Sequence, residues 1–225
     1  MLMETLNHQE LKAYQRAHRD QWQKGLSLRV HRALSWLKKA EHERANNDPD
    51  SEFIFLWIAF NAAYASQYTQ ESRTREKEAF DSFLERIVSY DTNKQLYELI
   101  WTHYSNAIRS LMDNPYVYQP FWDCMNKAEP STDWESSFSA AKRASHQALA
   151  TQNVAQSLAI VLSRLYTLRN QLMHGGATWQ GQLNREQLKD ATAILRSIVP
   201  IVINIMMQHG KEHWAEAVYF IDEGA

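Results

Sequence analysis

Between residues 151 and 174, Val154, Leu158, Val161, Leu162, Leu165, Leu168 and Leu172 recur at intervals of three and four. That spacing puts them on one side of an α-helix, and a stripe of that width has to be covered, so the stretch predicts a helix with one face in a core. Gly175-Gly176 follows at once and supplies residues that accept a left-handed backbone, the usual way to stop a helix. A second long pattern begins at Asn184 with Glu186 in its first turn, and it carries the apolar stretch 194–207. Pro200 lies inside that stretch and is expected to kink the helix rather than end it.

The rest of the chain shows the same period. Residues 4–24 are polar with scattered Leu6, Leu11, Tyr14 and Trp22, and predict a helix on the surface or reaching a partner subunit, broken at Gly25. Residues 26–45 place Leu26, Val30, Ala33, Leu34, Leu37 and Ala40 on one face and Arg29, Arg32, Lys38 and Lys39 on the other. Asn46-Asn47-Asp48-Pro49 ends that helix, and residues 50–68 form an aromatic, all-round apolar one for the middle of the core. A charged, exposed stretch at 69–77 precedes amphipathic patterns at 78–90 and 93–112, with Asp91-Thr92 as a cap for the second. Asp113-Asn114-Pro115 stops it. Residues 116–134 read as irregular or briefly helical, 133–150 as a polar helix capped by Asp133, and the tail 211–225 as docking by Trp214 and Tyr219. With 44% hydrophobic residues and only six Gly and five Pro, little is left for loops. The expectation is an all-α chain, an antiparallel helical bundle forming a single domain over 1–225, with an inserted helical lobe at 113–150.

Several chemistries lack their residues. Cys124 is alone, which excludes a disulfide framework or thiolate cluster and fits a reducing cytoplasm. His209 and His213 straddle Gly210 with no ligand partner at suitable spacing, so no metal site is expected. No Gly-rich phosphate loop or nucleophile elbow is present, and no cofactor is expected. Glu41, Glu43, Asp48 and Asp50 read as ordinary exposed charges. Residues 1–10 do not read as a secretory signal, and the apolar run 53–65, interrupted by Asn61, is shorter than the ~20 residues of a membrane span, so no membrane partner is expected. The formal charge of −2 excludes a general nucleic-acid coating protein and leaves room for a local basic patch.

The densest chemistry is Leu168-Arg169-Asn170-Gln171-Leu172-Met173-His174-Gly175-Gly176. Asn170 and His174 share a helical face, while Arg169 is offset from His174 by about 140° and reaches back with its long side chain. The three can converge on one small anionic group. His174 is expected in the last turn, beside unpaired carbonyls and the negative end of the helix dipole, which favours its protonated ring; Arg169 opposes it, so the ring is expected to titrate within reach of neutral pH. Arg169 suits a phosphate and the charge developing on its oxygens, and His174 suits proton transfer, with Asn170 orienting either. A plain reading competes: a capping His and an Arg paired with a carboxylate. Asn61, an amide in an apolar helix, either braces the motif or makes a remote interhelical bond. Tyr64 and Tyr166 either stack bases or fill core. Between 160 and 211, Arg164, Arg169, Arg185, Lys189, Arg196 and Lys211 outnumber Glu186 and Asp190, an excess that either steers RNA toward the motif or is the ordinary charge of solvated helix faces.

Arg169, Asn170 and His174 resemble the signature of the HEPN superfamily: an Arg, a polar residue after it, and a His a few positions on. Phe53-Ile54-Phe55-Leu56-Trp57-Ile58-Ala59-Phe60-Asn61-Ala62-Ala63-Tyr64, Gly175-Gly176-Ala177-Thr178-Trp179 and Asn184-Arg185 look like the ApeA-like branch of prokaryotic HEPN proteins. The resemblance covers roughly residues 26–210 and is weakest in the middle third. It implies a HEPN-like bundle and a metal-independent endoribonuclease acting through Arg-x4-His. It further implies a homodimer with RNA as substrate, a role in toxin-antitoxin or antiphage defence, and an antitoxin or regulatory partner. The alternative is a non-catalytic helical module that binds nucleic acid, nucleotide or protein.

Overall fold

Asp48 shows how local chemistry starts the central helix. Its carboxylate accepts from the Ser51 amide at 3.1 Å and the Ser51 hydroxyl at 2.7 Å, and Pro49 takes the first helical position, where a missing N–H costs nothing. The computed structural model describes residues 6–65, 73–129, 131–182 and 184–219, and these form an all-α protein. In order come α1 (His8–His18), α2 (Lys24–Ala45), α3 (Pro49–Tyr64), α4 (Arg73–Tyr90), α5 (Gln95–Glu98), α6 (Ser105–Asp113), α7 (Gln119–Met125), α8 (Trp134–Ala150), α9 (Val154–Met173) and α10 (Arg185–Gln208). Residues 66–68 of the expected aromatic helix, 69–72 of the charged stretch, Pro130 and residues 220–225 of the tail lie outside the described residues, as do residues 1–5.

The chain divides into two compact units, Met1–Gln95 with Thr192–Ala225, and Leu96–Ala191. In the first, α2 packs along α3, and Leu26, Val30, Leu34 and Leu37 are buried with Phe53, Leu56 and Phe60. Tyr64 belongs to an aromatic cluster with Phe60, Phe80 and Phe83, its ring centroid 5.0 Å from that of Phe80. It is therefore structural. α10 is long and apolar enough to cross a membrane by composition, but 72% of its apolar window is buried, as in a core helix. It continues through Pro200. In the second unit, Leu158, Val161, Leu162, Leu165 and Leu168 of α9 are buried with Ile108, Leu111 and Met112 of α6. The stretch expected to form a lobe, 113–150, belongs to this unit and holds a 3₁₀ turn (Pro115–Val117), α7 and α8.

Five local expectations are corrected. Gly25 does not break the first helix: the break falls at Trp22 and Gln23, and Gly25 sits in the first turn of α2. A Cβ there would come within 2.5 Å of Glu216 Oε2 and 3.4 Å of its Cα, so Gly25 serves close approach. α4 begins at Arg73 because its charged residues are good helix formers, with Lys77 and Asp81 paired one turn apart at 2.7 Å. The helix expected over 93–112 is interrupted by a π turn (Leu99–His103) and by Tyr104, whose amide bonds back five residues to Leu99. Asp133 makes no side-chain cap, since its carboxylate accepts from the Ser131 hydroxyl instead. In the tail, Trp214 is buried and donates to the His209 carbonyl, whereas Tyr219 is 82% exposed.

Candidate functional site

The motif lies at the end of α9, which Asn153 starts by accepting from the Gln156 amide at 3.0 Å. The other end closes on itself. Gly175 has φ +71°, its amide donates to Leu172 O at 3.2 Å, and the Gly176 amide donates to Gln171 O at 2.7 Å. This pair of bonds is the Schellman arrangement, and it makes His174 the residue at which the helix stops, its own amide bonded to Asn170 O. The His174 side chain is exposed.

One turn back, Arg169 is half-buried and donates from Nη1 to Asn170 Oδ1 at 3.0 Å. Its guanidinium carbon lies 5.9 Å from the ring centroid of Tyr166, which is 47% exposed. The structure thus brings together Arg169, Asn170 and Tyr166, with a side-chain amide and an aromatic face orienting the cation. The hydrogen bond between Arg169 and Asn170 leaves further guanidinium N–H groups to meet a ligand. Of the plain alternative, His174 does stand at the C-cap of α9, while Arg169 has no carboxylate partner among the described residues. Asn61 belongs to the first unit and is half-buried, so its amide is not sealed from solvent in the way expected.

Gln171 has a part that the motif's spacing does not announce. Its Nε2 donates to Tyr116 O at 2.7 Å, and its Oε1 accepts from Asn184 Nδ2 at 3.0 Å. It ties the motif helix to the turn before α7 and to the residue before α10, where Asn184 adopts φ +54°. Arg185 Nε donates to Gly181 O at 2.8 Å, across a turn where Gly181 is needed because a Cβ would fall 2.4 Å from Thr178 Oγ1. Trp179 on this turn is 68% exposed.

The basic set expected to steer RNA is corrected by burial and pairing. Arg164 is only 3% exposed and lies between aromatic rings, 4.4 Å from the Tyr118 centroid and 5.5 Å from that of Phe138. Burial lowers its pKa to about 10. Arg196 donates to both oxygens of buried Glu52, at 2.7 and 2.8 Å. Lys189 pairs with Glu186 at 2.8 Å. Asp50, expected to be exposed, is buried. Arg164 and Arg196 are therefore withdrawn from the counted excess.

No protein-family model, curated protein or solved structure matches this chain.

Proposed function

We propose that this is a HEPN-like RNA-binding protein and a metal-independent endoribonuclease. The observation that carries the reading is the end of α9: an exposed imidazole at the helix terminus, with a guanidinium one turn back whose direction is set by Asn170. Arg169 binds the scissile phosphate and stabilises the charge that develops on its non-bridging oxygens. His174 takes the proton from the ribose 2′-hydroxyl or returns one to the departing 5′ oxygen. The 2′ oxygen bonds to phosphorus as the P–O5′ bond breaks, leaving a 2′,3′-cyclic phosphate and a 5′-hydroxyl. Tyr166 and Trp179 are exposed aromatic faces on which unpaired bases stack. In this reading the protein works as a homodimer, each copy bringing one motif to the cleft, in a defence or toxin-antitoxin setting within the cytoplasm and under an antitoxin or regulatory partner.

The test is to incubate purified protein with single-stranded RNA in EDTA and resolve the products. The expected result is fragments ending in 2′,3′-cyclic phosphate, lost in Arg169→Ala and His174→Ala. Cleavage that survives both substitutions removes the proposed chemistry. RNA bound by wild type without any product selects the non-catalytic binding module instead.

A further inference from the structure

A second concentration of cationic side chains lies in the first unit, on its first two helices. Between His8 and Lys38 the chain carries seven Lys and Arg against only Glu10 and Asp20, within a protein whose formal charge is −2. Two of the seven are committed to the fold. Arg29 is buried and donates to the carbonyls of Ala63, Tyr64 and Ala215, and Arg32 donates to those of Val218 and Tyr219. Others form a seam. Along α1 and its C-terminal cap, His8, Lys12, Arg16 and Arg19 fall on one stripe, successive members about 6 Å apart along the axis where the spacing is four residues.

Three contacts lay this stripe against the edge of α2. The His8 amide donates to Glu41 Oε1 at 2.7 Å, Lys12 Nζ lies 3.4 Å from His31 Nδ1, and the Ser27 hydroxyl donates to Arg19 O at 3.2 Å. The helices therefore run antiparallel, with His31 and Lys38 facing the stripe of α1. Three acids lie along it and offset part of its charge. One Glu10 oxygen accepts from the Asn7 amide in a capping box, Asp20 is 3.8 Å from Arg19 and almost fully exposed, and Glu41 is held by the His8 amide. Arg16 and Lys38 have no carboxylate partner among the described residues.

The seam's own members register the crowding. The pKa of His8 is lowered by burial and then by Lys38, Lys12 and Arg16; that of His31 by burial and then by Lys12, Arg19 and Arg32; that of Lys12 by burial and then by Arg16 and Arg19. Like charges drawn together in excess of their counter-charges are relieved by a polyanion.

We infer that the seam between α1 and α2 is a binding surface for the phosphate backbone of RNA. A row of cations repeating along a helix axis matches an anion that is itself a repeating linear charge. A lipid surface fits less well, because the exposed positions of α1 and its cap are Gln9, Glu10, Ala13, Arg16, Ala17 and Arg19, none of them a large apolar group to insert. Trp36, which breaches the surface of α2, is already stacked on Phe55. The choice of RNA over other polyanions rests on the proposed function. The surface does not depend on cleavage.

The experiment measures binding of a fluorescein-labelled single-stranded RNA to full-length His174→Ala protein in EDTA, by anisotropy over a series of salt concentrations. In that background, Arg16→Ala/Arg19→Ala/Lys38→Ala is expected to weaken binding at least about tenfold near 0.1 M salt. It should also flatten the slope of log K against log salt by about 2, at roughly 0.7 per lost phosphate contact. The three side chains are exposed, so the melting temperature should hold, and Arg16→Lys/Lys38→Arg should retain affinity. Unchanged affinity and slope overturn the proposal, as does capture by phosphatidylserine vesicles with no RNA binding. A protein that binds RNA through the seam but never cleaves it in wild-type form sinks the endoribonuclease reading alone. One that cleaves through Arg169 and His174 with affinity indifferent to the seam sinks this inference alone.

Discussion

Arg196 separates charge that holds the fold from charge that meets a ligand. Its Nε and Nη2 each donate to one oxygen of Glu52, at 2.7 and 2.8 Å, and the Glu52 side chain is only 4% exposed against 32% for Arg196. Arg196→Met takes the counter-charge from an almost fully buried carboxylate, a loss of about 3 kcal/mol at the lower end for a broken buried pair, because the two line an open cleft and Arg196 keeps some solvent. For a chain of this length that is a fall in Tm of roughly 6–12 °C. Replacing both, Glu52→Met/Arg196→Met, removes the stranded charge and should return to within about 1 kcal/mol of wild type. The coupling is then the opposite of additive. Thermal unfolding followed by circular dichroism of wild type, both singles and the double gives the full cycle. The reasoning fails if Arg196→Met costs less than about 1 kcal/mol, or if the double loses as much as the singles together. The salt dependence of RNA affinity should not change in the double, since this guanidinium is already neutralised.

Three further outcomes follow from geometry. Gly175→Ala should cost about 1–2 kcal/mol in urea unfolding from its φ of +71° alone, because nothing lies within 4 Å of the added Cβ, and Gly175→Asn should recover part of that; equal losses would refute a backbone cause. The carboxyl of Glu41 has its pKa raised, mainly by burial and partly by Glu10, against the lowering effects of the His8 amide and Arg44. A raised carboxyl pKa favours the fold most below the unfolded value of 4.5, and that contribution is lost as pH climbs through the folded value. Glu41→Gln, which keeps the acceptor for His8, should therefore raise Tm at pH 7, with the gain shrinking below pH 4.5; a gain independent of pH refutes it. Arg164→Met exchanges a cation–π contact worth about 2 kcal/mol for relief of a desolvated charge, so stability should stay within about 1 kcal/mol. RNA affinity should not move, and a clear loss of affinity would return Arg164 to the binding surface.

Much of the fold was written in local pattern. The apolar positions of α2 and α9 read from sequence are largely the buried ones, and Asn46 to Pro49 ends one helix and starts the next because Asn47 accepts φ +56° and Asp48 caps. What local pattern misjudged depends on partners distant in the chain. Gly25 resembled a stop signal because its reason, Glu216, lies 191 residues on. The interruption at Tyr104 carries no Pro or Gly, and Trp101 of the π turn donates to Leu149 O, a contact invisible to any window of sequence. At the site, the Gly pair announced the helix end and the place of His174 there, whereas the two anchors on Gln171 were not legible, since one amide among neighbours says nothing of Tyr116 or Asn184.

The same distinction governs where anion binding is sought. Counting Lys and Arg between 160 and 211 treats every cation as equivalent, yet Arg164 is enclosed by rings and Arg196 by Glu52, both from outside that window. By pattern alone, residues 4–24 read as a polar helix on the surface or reaching a partner subunit, and residues 26–45 as a helix with its cations opposite its apolar face. Folding turns the edges of α1 and α2 toward each other, so that Lys12 meets His31 and His8 comes under the influence of Lys38. Solvated charges a Debye length apart are largely screened, about 8–10 Å at physiological salt, but charges this close are not. A chain with a slight negative excess can therefore still offer a polyanion one concentrated cationic line, and net charge was never the quantity that could reveal it.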